Sequence, residues 1–379
     1  MTGVATIDLF AGAGGLSLAA AKAGGDVRLH VDFDRRACET LLANKRYQHG
    51  NVVEADVSAL HGDDLRGLAG ISRRERLLVI GGPPCQPFSK AAFWSEDGDD
   101  AAYRRARSRG EVARRPGNHG HREDERRFLV RDFLRLVVES NASGFVFENV
   151  ASLGAPRNRI MLDGLVALAA GGGYQTTIVR AKGTEYGLAQ KRDRIFILGA
   201  KKAAPIPPVP THTEDRALHP RRKPVATTGR VLAPFAGPEY AEPEEVVSGR
   251  WAEHLRGVPA GWNYKAHTAW AGHPNPTFVA ETRFWNFLLK LSPDLPSWTI
   301  AANPGPWTGP FHWENRRLRT GEMAALQGFP RGYKFQGSRR ERVRQIGNAA
   351  PPRLAQPMIL SVIAAITGAR VTRVRAEAA

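Results

Sequence analysis

The chain has 379 residues, enough for two domains, and its 42% apolar and 24% charged residues are typical of a soluble globular protein. Two cysteines exclude a disulfide framework, and there is no Cys/His cluster, secretion signal or apolar run of roughly 18 residues. We therefore expect a cytoplasmic protein that needs no metal and no membrane. The net charge of +17 favours a polyanionic partner, although an arginine-rich composition alone would give the same value.

Strand-like and helix-like segments alternate over residues 1–202. This alternation predicts a doubly wound, mostly parallel α/β sheet. The predicted strands are Val4–Leu9, Val27–Asp32, Leu77–Gly82, Gly144–Glu148, Tyr174–Ala181 and Arg194–Ala200, and the predicted helices are Gly15–Ala23, Arg35–Lys45, Glu125–Glu139 and Ile160–Ala170.

The composition changes at about residue 202. Seventeen of the 26 prolines and seven of the eight tryptophans follow before residue 314, and helical periodicity is hard to find there. We predict a smaller, loop-rich second domain over 203–313. A C-terminal segment, 314–379, then returns to the first domain, with helices at Glu322–Leu326 and Leu354–Ile366.

Cys85 follows the apolar run 77–80 in Gly-Gly-Pro-Pro-Cys-Gln-Pro-Phe-Ser, residues 81–89. The run predicts a buried strand, and the three prolines fix the backbone after it. Open α/β sheets place their chemistry at the carboxyl ends of strands. We therefore predict a nucleophile, the alternative being a structural cysteine, which would more often lie within the apolar run.

A glycine-rich turn, Gly12–Gly15, lies between the first strand and the first helix. Such a turn brings backbone N–H groups close to a nucleotide-like ligand, and Asp32 ends the next strand, where a carboxylate would meet ribose hydroxyls. The spacing GxGG differs from the GxGxxG of dinucleotide sites. Alone, the turn leaves open NAD, FAD, S-adenosylmethionine or no ligand at all.

Charged residues also stand at two other strand ends. Glu148 follows a buried apolar strand, and desolvation there would favour the protonated form that a general acid needs. Arg192 and Arg194 alternate with Asp193, so in an extended backbone they point to the same side and could clamp a phosphate or a carbonyl oxygen. From these segments alone, an ordinary polar strand end and a solvated charge cluster remain alternatives.

Considered in order along the chain, these segments resemble the motif series of bacterial DNA (cytosine-5) methyltransferases of the restriction–modification type. The resemblance covers nearly the whole chain, except for about 203–313, where that family has its variable target-recognition domain. The six segments are Phe-Ala-Gly-Ala-Gly-Gly (10–15), Pro-Pro-Cys-Gln-Pro-Phe-Ser (83–89), Glu-Asn-Val (148–150), Gln-Lys-Arg-Asp-Arg (190–194), and residues 317–330 and 345–352.

The resemblance implies transfer of a methyl group to C5 of a cytosine flipped out of duplex DNA. Cys85 would attack C6 of the base, and Glu148 would hydrogen-bond and protonate N3. Arg194, with Arg192 beside it, would contact O2. Adding a thiolate to C6 makes C5 a nucleophile, which divides one difficult step into easier ones.

The implied cofactor is S-adenosyl-L-methionine, which leaves as S-adenosyl-L-homocysteine, with no metal. Asp32 would bind the ribose, although it is one methylene shorter than the glutamate commoner in the family. Phe33 would stack on the adenine, and Asn348 would close the pocket from the far end of the chain. The implied cofactor-binding residues are Phe10, Ala11, Gly12, Gly14, Gly15, Leu16, Asp32, Phe33, Asp56, Val57, Pro84 and Asn348.

Double-stranded DNA is the implied partner, and a paired restriction endonuclease and a monomeric enzyme are further expectations. An arginine-rich segment, 94–127, corresponds to the mobile loop after the catalytic cysteine, and we expect it to close over the DNA. A basic insertion without a specific role is the alternative. The candidate DNA-binding residues are Gln86, Ser89, Lys90, Arg104, Arg105 and Arg107.

Two other functions remain open at this stage. An RNA cytosine-5 methyltransferase is disfavoured because the Cys-Phe-Thr tripeptide of the tRNA-modifying members is absent. A catalytically silent DNA-binding relative is disfavoured because Cys85, Glu148 and Arg194 are intact. The recognition sequence cannot be predicted, since it depends on a few side chains of the second domain.

Overall fold

The computed structural model describes residues 3–84, 112, 128–280 and 285–369. Within them the chain forms eleven strands. These are β1 (Val4–Leu9), β2 (Gly25–Asp32), β3 (Asn51–Glu54), β4 (Leu77–Gly81), β5 (Gly144–Val150), β6 (Gln175–Lys182), β7 (Gln190–Lys191), β8 (Asp193–Ala200), β9 (His212–Thr213), β10 (Lys223–Pro224) and β11 (Ser297–Trp298).

The described part of the chain also contains ten α-helices. They are α1 (Gly15–Lys22), α2 (Arg35–Ala43), α3 (Gly62–Leu68), α4 (Leu129–Glu139), α5 (Arg159–Gly171), α6 (Thr228–Leu232), α7 (Ala252–Gly257), α8 (Thr320–Leu326), α9 (Arg339–Asn348) and α10 (Pro352–Thr367).

Seven strands form one sheet in the order β3-β2-β1-β4-β5-β8-β6. Strands β1 to β5 are parallel, and β8 runs antiparallel between β5 and β6. The predicted mostly parallel α/β sheet is therefore confirmed. Because β1, β2, β4 and β5 are parallel, their carboxyl ends meet at one edge, where the candidate residues that follow these strands are brought together.

Helices cover both faces of the sheet, as the alternation of elements requires. On one face, α4 packs Phe133 and Val137 against β5, and all of these side chains are buried. On the other face, α1 packs against α10, which follows residue 350 and carries Met358 and Val362 into the core. The C-terminal segment is thus part of the main sheet domain.

The stretch 339–367, which contains α9 and α10, is long and apolar enough by length and composition to span a membrane. However, 61% of its most apolar window is buried inside the protein. Such burial is typical of a core helix.

Residues 203–313, called the second module below, contain a small aromatic core of their own, around Leu255, Tyr264, Leu288 and Phe311. Regular structure is sparse there and consists of two-residue strands and short helical turns. A third apolar cluster joins Leu291 and other module residues to α8, α9 and α1. This cluster fixes the module against the sheet domain.

Candidate active site

Glu148 and Arg194 lie side by side at the sheet edge where β5 ends. The register pairs Arg194, the second residue of β8, with Val150, the last residue of β5. Its Nε lies 2.7 Å from Oε1 of Glu148, and the Glu148 residue is only 7% exposed. The N–H is not directed at that oxygen, which accepts no hydrogen bond from the described residues although it is buried. A buried carboxylate oxygen without a donor favours a ligand as its missing partner.

The backbone that leads into Cys85 is fixed beside this pair. Asn149, which is buried, donates from Nδ2 to the carbonyl oxygen of Pro83 at 3.2 Å. A Cβ atom on Gly82 would lie 3.0 Å from Oε2 of Glu148, so only a residue without a side chain fits easily there. The described chain ends at Pro84, and Cys85 lies outside the described residues.

The glycine-rich turn is held in an unusual backbone conformation. Phe10, Gly12 and Gly14 all have positive φ, at 57°, 53° and 80°. For Phe10 this conformation costs of order 1 kcal/mol or more, since its Cβ crowds the following carbonyl. The N–H of Gly12 donates to Oδ2 of Asp32 at 2.7 Å, which ties the turn to the end of β2.

Asp32 and Phe33 lie at the end of β2, beside the glycine-rich turn. Asp32 also accepts from the N–H of Asp34 at 2.8 Å, and burial raises its pKa, against the effect of these two donors. Phe33 beside it is 70% exposed, which leaves a ring face open for stacking. Asp56 is exposed and accepts from the N–H of Ser58, whereas the Val57 side chain belongs to the main core. Val57 can therefore contribute only its backbone atoms to a ligand site.

The remaining positions of the turn pack against other elements. Ala11 donates from its N–H to Val31 O at 3.1 Å, and Leu16 is buried in the core. A Cβ atom on Gly15 would lie 2.1 Å from the carbonyl oxygen of Ala350, which follows α9. A glycine at this position lets the C-terminal segment approach the turn.

Arg192 and Arg194 contact different groups, contrary to the expectation that they act side by side. Arg192 is 2% exposed, and its guanidinium donates to the main-chain oxygens of Gly347 and Ala349 at 2.7 and 3.2 Å. It also donates to Ile300 O at 3.3 Å. The reason is local: β7 ends at Lys191 and β8 begins at Asp193, so strict strand alternation does not extend across Arg192. Arg192 does clamp carbonyl oxygens, but they belong to the protein itself.

Asn348 is the last residue of α9 and is exposed, between the two residues whose carbonyl oxygens Arg192 contacts. Gln327 donates from Nε2 to Ile346 O at 2.6 Å and to Ala349 O at 3.1 Å. Gln190 donates in turn to Oε1 of Gln327 at 2.8 Å. A buried polar network therefore sets the position of Asn348.

Sequence reasoning missed several residues that hold the turn and this network. Tyr333 donates to Ala13 O at 2.6 Å, and Gln48 donates to Gly14 O and to the Tyr333 hydroxyl at 3.1 and 3.0 Å. Both side chains are buried. Gln190 and Gln327 stand within segments quoted for the resemblance, and that location was the signal available in the sequence. Nothing in the sequence pattern distinguishes Tyr333 or Gln48.

Three polar groups are buried directly behind the turn. Ser17 donates from its hydroxyl to Oδ2 of Asp8, and the same hydroxyl lies 2.9 Å from Nδ1 of His30. Burial raises the pKa of Asp8 to about 7, and burial lowers the pKa of His30 to about 4. Folding therefore shifts the protonation equilibrium of both side chains toward the uncharged form.

Among the described residues, no group of three or more His, Cys, Asp or Glu side chains could hold a metal ion. Several candidates of the sequence analysis fall outside the described residues, and for these the predictions stand as made. They are Cys85, Gln86, Ser89, Lys90, Arg104, Arg105 and Arg107.

Comparisons with known proteins agree with this arrangement. Residues 4–103 and 115–364 match the family model of C-5 cytosine-specific DNA methylases, and the internal gap between the two matched stretches lies in the arginine-rich segment. The Type II methyltransferase M.SacI of Streptomyces achromogenes is 34% identical over 94% of this chain and 92% of its own length. M1.HphI of Haemophilus parahaemolyticus, also a Type II methyltransferase, is 28% identical over 94% and 86%.

Solved structures share the fold. A candidate DNA modification methyltransferase from an E. coli prophage has a TM-score of 0.60 at 23% identity, with coverage of 95% of this chain and 98% of that one. The S. pombe Dnmt2 methyltransferase has a TM-score of 0.56 at 15% identity, with coverage of 95% and 98%. With the matched residues spanning the turn, the Glu148–Arg194 pair and the C-terminal network, the chain belongs to the family of C-5 cytosine-specific DNA methyltransferases, enzymes of the Type II restriction–modification kind.

Proposed function

We propose that this enzyme transfers a methyl group from S-adenosyl-L-methionine to C5 of a cytosine in a specific duplex DNA sequence, through a covalent bond between Cys85 and C6. The observation that carries the proposal is the Glu148–Arg194 pair. A buried carboxylate and a guanidinium stand 2.7 Å apart beside the backbone that leads into Cys85. Such a pair can bind the N3 and O2 edge of a cytosine, which presents one acceptor to a protonated carboxyl and another to the guanidinium.

The Cys85 thiolate forms a bond to C6, while Glu148 gives a proton to N3, so that the electron pair of the C5–C6 bond becomes available at C5. Arg194 orients the base through O2. After the methyl group has joined C5, loss of the C5 proton to a base and return of the N3 proton break the bond between Cys85 and C6. A carboxyl group positioned in this way contributes roughly 10²–10⁴-fold as a general acid.

Residues around the turn fit the cofactor. The exposed ring of Phe33 would stack on the adenine, and Asp32 would bind the ribose. Both Asp32 oxygens already accept backbone N–H groups, which leaves their second lone pairs for a hydroxyl or a bridging water. Asn348, Asp56 and the turn residues 10–16 complete the proposed site. The cofactor supplies an electrophilic methyl group on a sulfonium and leaves as S-adenosyl-L-homocysteine.

Access to a cytosine inside a duplex requires base flipping, at a cost of a few kcal/mol. We propose that residues 203–313 form the target-recognition domain and that the segment 94–127 closes over the DNA, with Arg104, Arg105 and Arg107 on phosphates. Deleting residues 100–122 should then flatten the salt dependence of DNA binding and reduce activity. Unchanged binding and activity would contradict this role.

We further propose a monomeric, cytoplasmic enzyme that accompanies the nucleoid when bound to DNA and is paired with a restriction endonuclease. The Type II relatives support the pairing. Sedimentation of the purified protein tests the monomer. A neighbouring endonuclease gene, and resistance of the host DNA to that endonuclease, test the pairing.

Bisulfite sequencing of DNA from cells that express the protein is the first test, since it reports activity, product and target sequence together. A duplex with 5-fluorocytosine at that target should then trap a covalent complex in the presence of the cofactor. Fluorine replaces the C5 proton, and a base cannot abstract it, so the bond between Cys85 and C6 is not broken. Cys85→Ala should abolish the complex. Cys38→Ala provides the matched control, since Cys38 is the other cysteine of the chain, is buried and donates to Asp32 O at 3.6 Å. Covalent trapping that survives Cys85→Ala would contradict the mechanism.

A further inference from the structure

Three tryptophans of the second module are exposed, and the proposed chemistry does not use them. Trp270 is 69% exposed, Trp262 is 47% exposed and Trp285 is 45% exposed. Leaving several indole rings half in water forgoes burial worth about 25 cal/mol per Å² of apolar surface, so clustered exposed rings indicate a binding surface. Two of the three belong to a continuous arrangement with lysines.

Five side chains form this arrangement, the tryptophan–lysine row: Lys191, Trp298, Trp285, Lys265 and Trp270. The Lys191 ammonium lies 5.1 Å from the ring centre of Trp298, and the Trp298 and Trp285 rings meet edge to face at 5.6 Å. The Lys265 ammonium lies between two rings, 5.4 Å from Trp285 and 5.6 Å from Trp270. Each lysine is thus oriented by a ring face and keeps its charge available.

The row begins next to the candidate catalytic pair. Lys191 ends β7 and precedes Arg194 by three residues, and Trp298 of β11 is its register partner. From there the row continues into the second module, at Lys265 and Trp270. It therefore connects the catalytic edge of the sheet to the module proposed to recognise the target.

Neither lysine is paired with a carboxylate among the described residues, although many surface arginines are. Two ammonium groups without a carboxylate partner in the described part of the chain, one over the Trp298 ring and the other over the Trp285 and Trp270 rings, match a strand of nucleic acid. Phosphates pair with the ammonium groups, and the rings pack against sugars or unpaired bases. An apolar protein partner would not require these cations, and an acidic peptide would not require the rings.

We propose that the tryptophan–lysine row binds the sugar–phosphate backbone of the DNA beside the flipped cytosine, with Lys191 and Lys265 each on a phosphate. The inference rests on the proposed function, whose substrate is duplex DNA. It assigns particular residues of this chain to the positioning of that substrate. Lys191 would hold the strand next to the pair that binds the base.

Binding of a fluorescently labelled, mixed-sequence duplex tests the proposal without relying on catalysis. Lys191→Ala and Lys265→Ala should each reduce the slope of log Kd against log salt by about 0.9, the value for one lost phosphate contact. Trp285→Ala should raise Kd about 10-fold at fixed salt, in the range seen for aromatic contacts to nucleic acid. Circular dichroism and a thermal melt check that each variant folds.

Two controls are matched to these variants. Lys202→Ala removes the same charge from an exposed lysine at the opposite end of β8, and Trp262→Ala removes a tryptophan of similar exposure from the same module outside the row. Both should bind as the wild type does. The proposal would be wrong if Lys191→Ala and Lys265→Ala kept the wild-type salt slope, or if Trp285→Ala bound DNA no more weakly than Trp262→Ala.

The outcome for the row is separable from the outcome for the proposed function. If the wild type methylates DNA while the row variants bind DNA normally, the row alone is refuted. If the wild type binds DNA with the expected slopes but transfers no methyl group, the row stands and the proposed function fails.

Discussion

Arg192 fixes the main chain on both sides of Asn348. Its guanidinium donates to the carbonyl oxygens of Gly347 and Ala349, which precede and follow that residue, although the two positions are far apart in sequence. The arginine is buried and Asn348 is exposed, so the two side chains perform different tasks. If Asn348 binds the cofactor as proposed, Arg192 sets the position of the main chain that carries its amide.

Arg192→Lys should therefore weaken cofactor binding more than it slows turnover. A lysine ammonium cannot reproduce the planar fork that reaches two carbonyl oxygens, and the loss of one or two buried hydrogen bonds corresponds to roughly 10-fold in affinity. We expect Kd for S-adenosyl-L-homocysteine to rise about 10-fold, with kcat at saturating cofactor within about threefold of the wild type. Isothermal titration calorimetry and tritium transfer measure the two quantities.

A double-variant cycle checks that Arg192 acts through Asn348. If it does, Asn348→Ala combined with Arg192→Lys should cost less affinity than the sum of the single changes. Arg159→Lys, on the exposed face of α5, is the control and should bind the cofactor normally. A loss of kcat with unchanged cofactor affinity would instead support the sequence-based expectation that Arg192 acts beside Arg194 on the base.

The main elements of the sheet domain could be predicted from the sequence because their patterns are local. Apolar runs predicted β1, β4 and β5 within two residues of their ends, and glycines predicted the turn before α1. The short α3 and β3 were not anticipated, and neither was α9, whose mean composition is strongly polar. In each of these elements few positions are buried, so periodicity is weak.

The site was harder to predict, since its geometry depends on contacts between distant segments. Strand alternation suggested a common direction for Arg192 and Arg194, whereas the break between β7 and β8 separates them. The paired orientation of Glu148 and Arg194 depends on β8 lying antiparallel beside β5, which no local pattern reveals. The role of Tyr333 at the turn likewise depends on a contact across most of the chain.

Glu148 and Arg194 should be energetically coupled in the folded protein. Both side chains are about nine-tenths buried, and removing one partner leaves a buried charge without compensation. Arg194→Met and Glu148→Gln should each destabilise the fold, and the double variant should lose about 1–3 kcal/mol less than the sum of the two. Urea unfolding monitored by circular dichroism gives these free energies.

The exposed pair Arg159–Asp163 on α5 provides the comparison, because its side chains are 75% and 58% exposed. Exposed pairs of this kind typically couple by about 0.3–0.5 kcal/mol. Coupling of Glu148 with Arg194 no larger than that of the exposed pair would show that the 2.7 Å contact contributes little to stability.

Asp8 and His30 should have opposite effects on the pH dependence of stability. The pKa of Asp8 rises from 3.8 to about 7 on folding, so between these values the folded state holds a proton that the unfolded state lacks, and stability falls as pH rises. The pKa of His30 falls from 6.5 to about 4, so there the unfolded state holds the extra proton and stability rises with pH. Between about pH 4 and 6.5 the two contributions cancel in the wild type.

Replacing either side chain should make the other one's contribution to the pH dependence of stability measurable. In His30→Gln the remaining Asp8 should make stability fall by up to about 1.4 kcal/mol per pH unit between pH 4.5 and 6, relative to the wild type. In Asp8→Asn the remaining His30 should make it rise by a similar amount. Urea titrations at several pH values measure these slopes, and two variants with the wild-type slope would contradict the assignment of these pKa values.

Gly15→Ala tests whether the C-terminal segment must touch the glycine-rich turn. A Cβ atom at this position would lie 2.1 Å from the carbonyl oxygen of Ala350, so either α1 or the chain after α9 has to move. Overpacking of this kind costs about 1–3 kcal/mol, and displacement of the chain beyond Asn348 should weaken cofactor binding as well.

Gly164→Ala is the matched control, since Gly164 lies inside α5, and a Cβ there would meet no atom within 4 Å. The control should gain about 0.4–1 kcal/mol of stability and bind the cofactor normally. Stabilisation of Gly15→Ala equal to that of Gly164→Ala would show that Ala350 does not approach the turn closely in solution. The proposed effect of Arg192 on cofactor binding, which depends on the position of the chain around Asn348, would then fail as well.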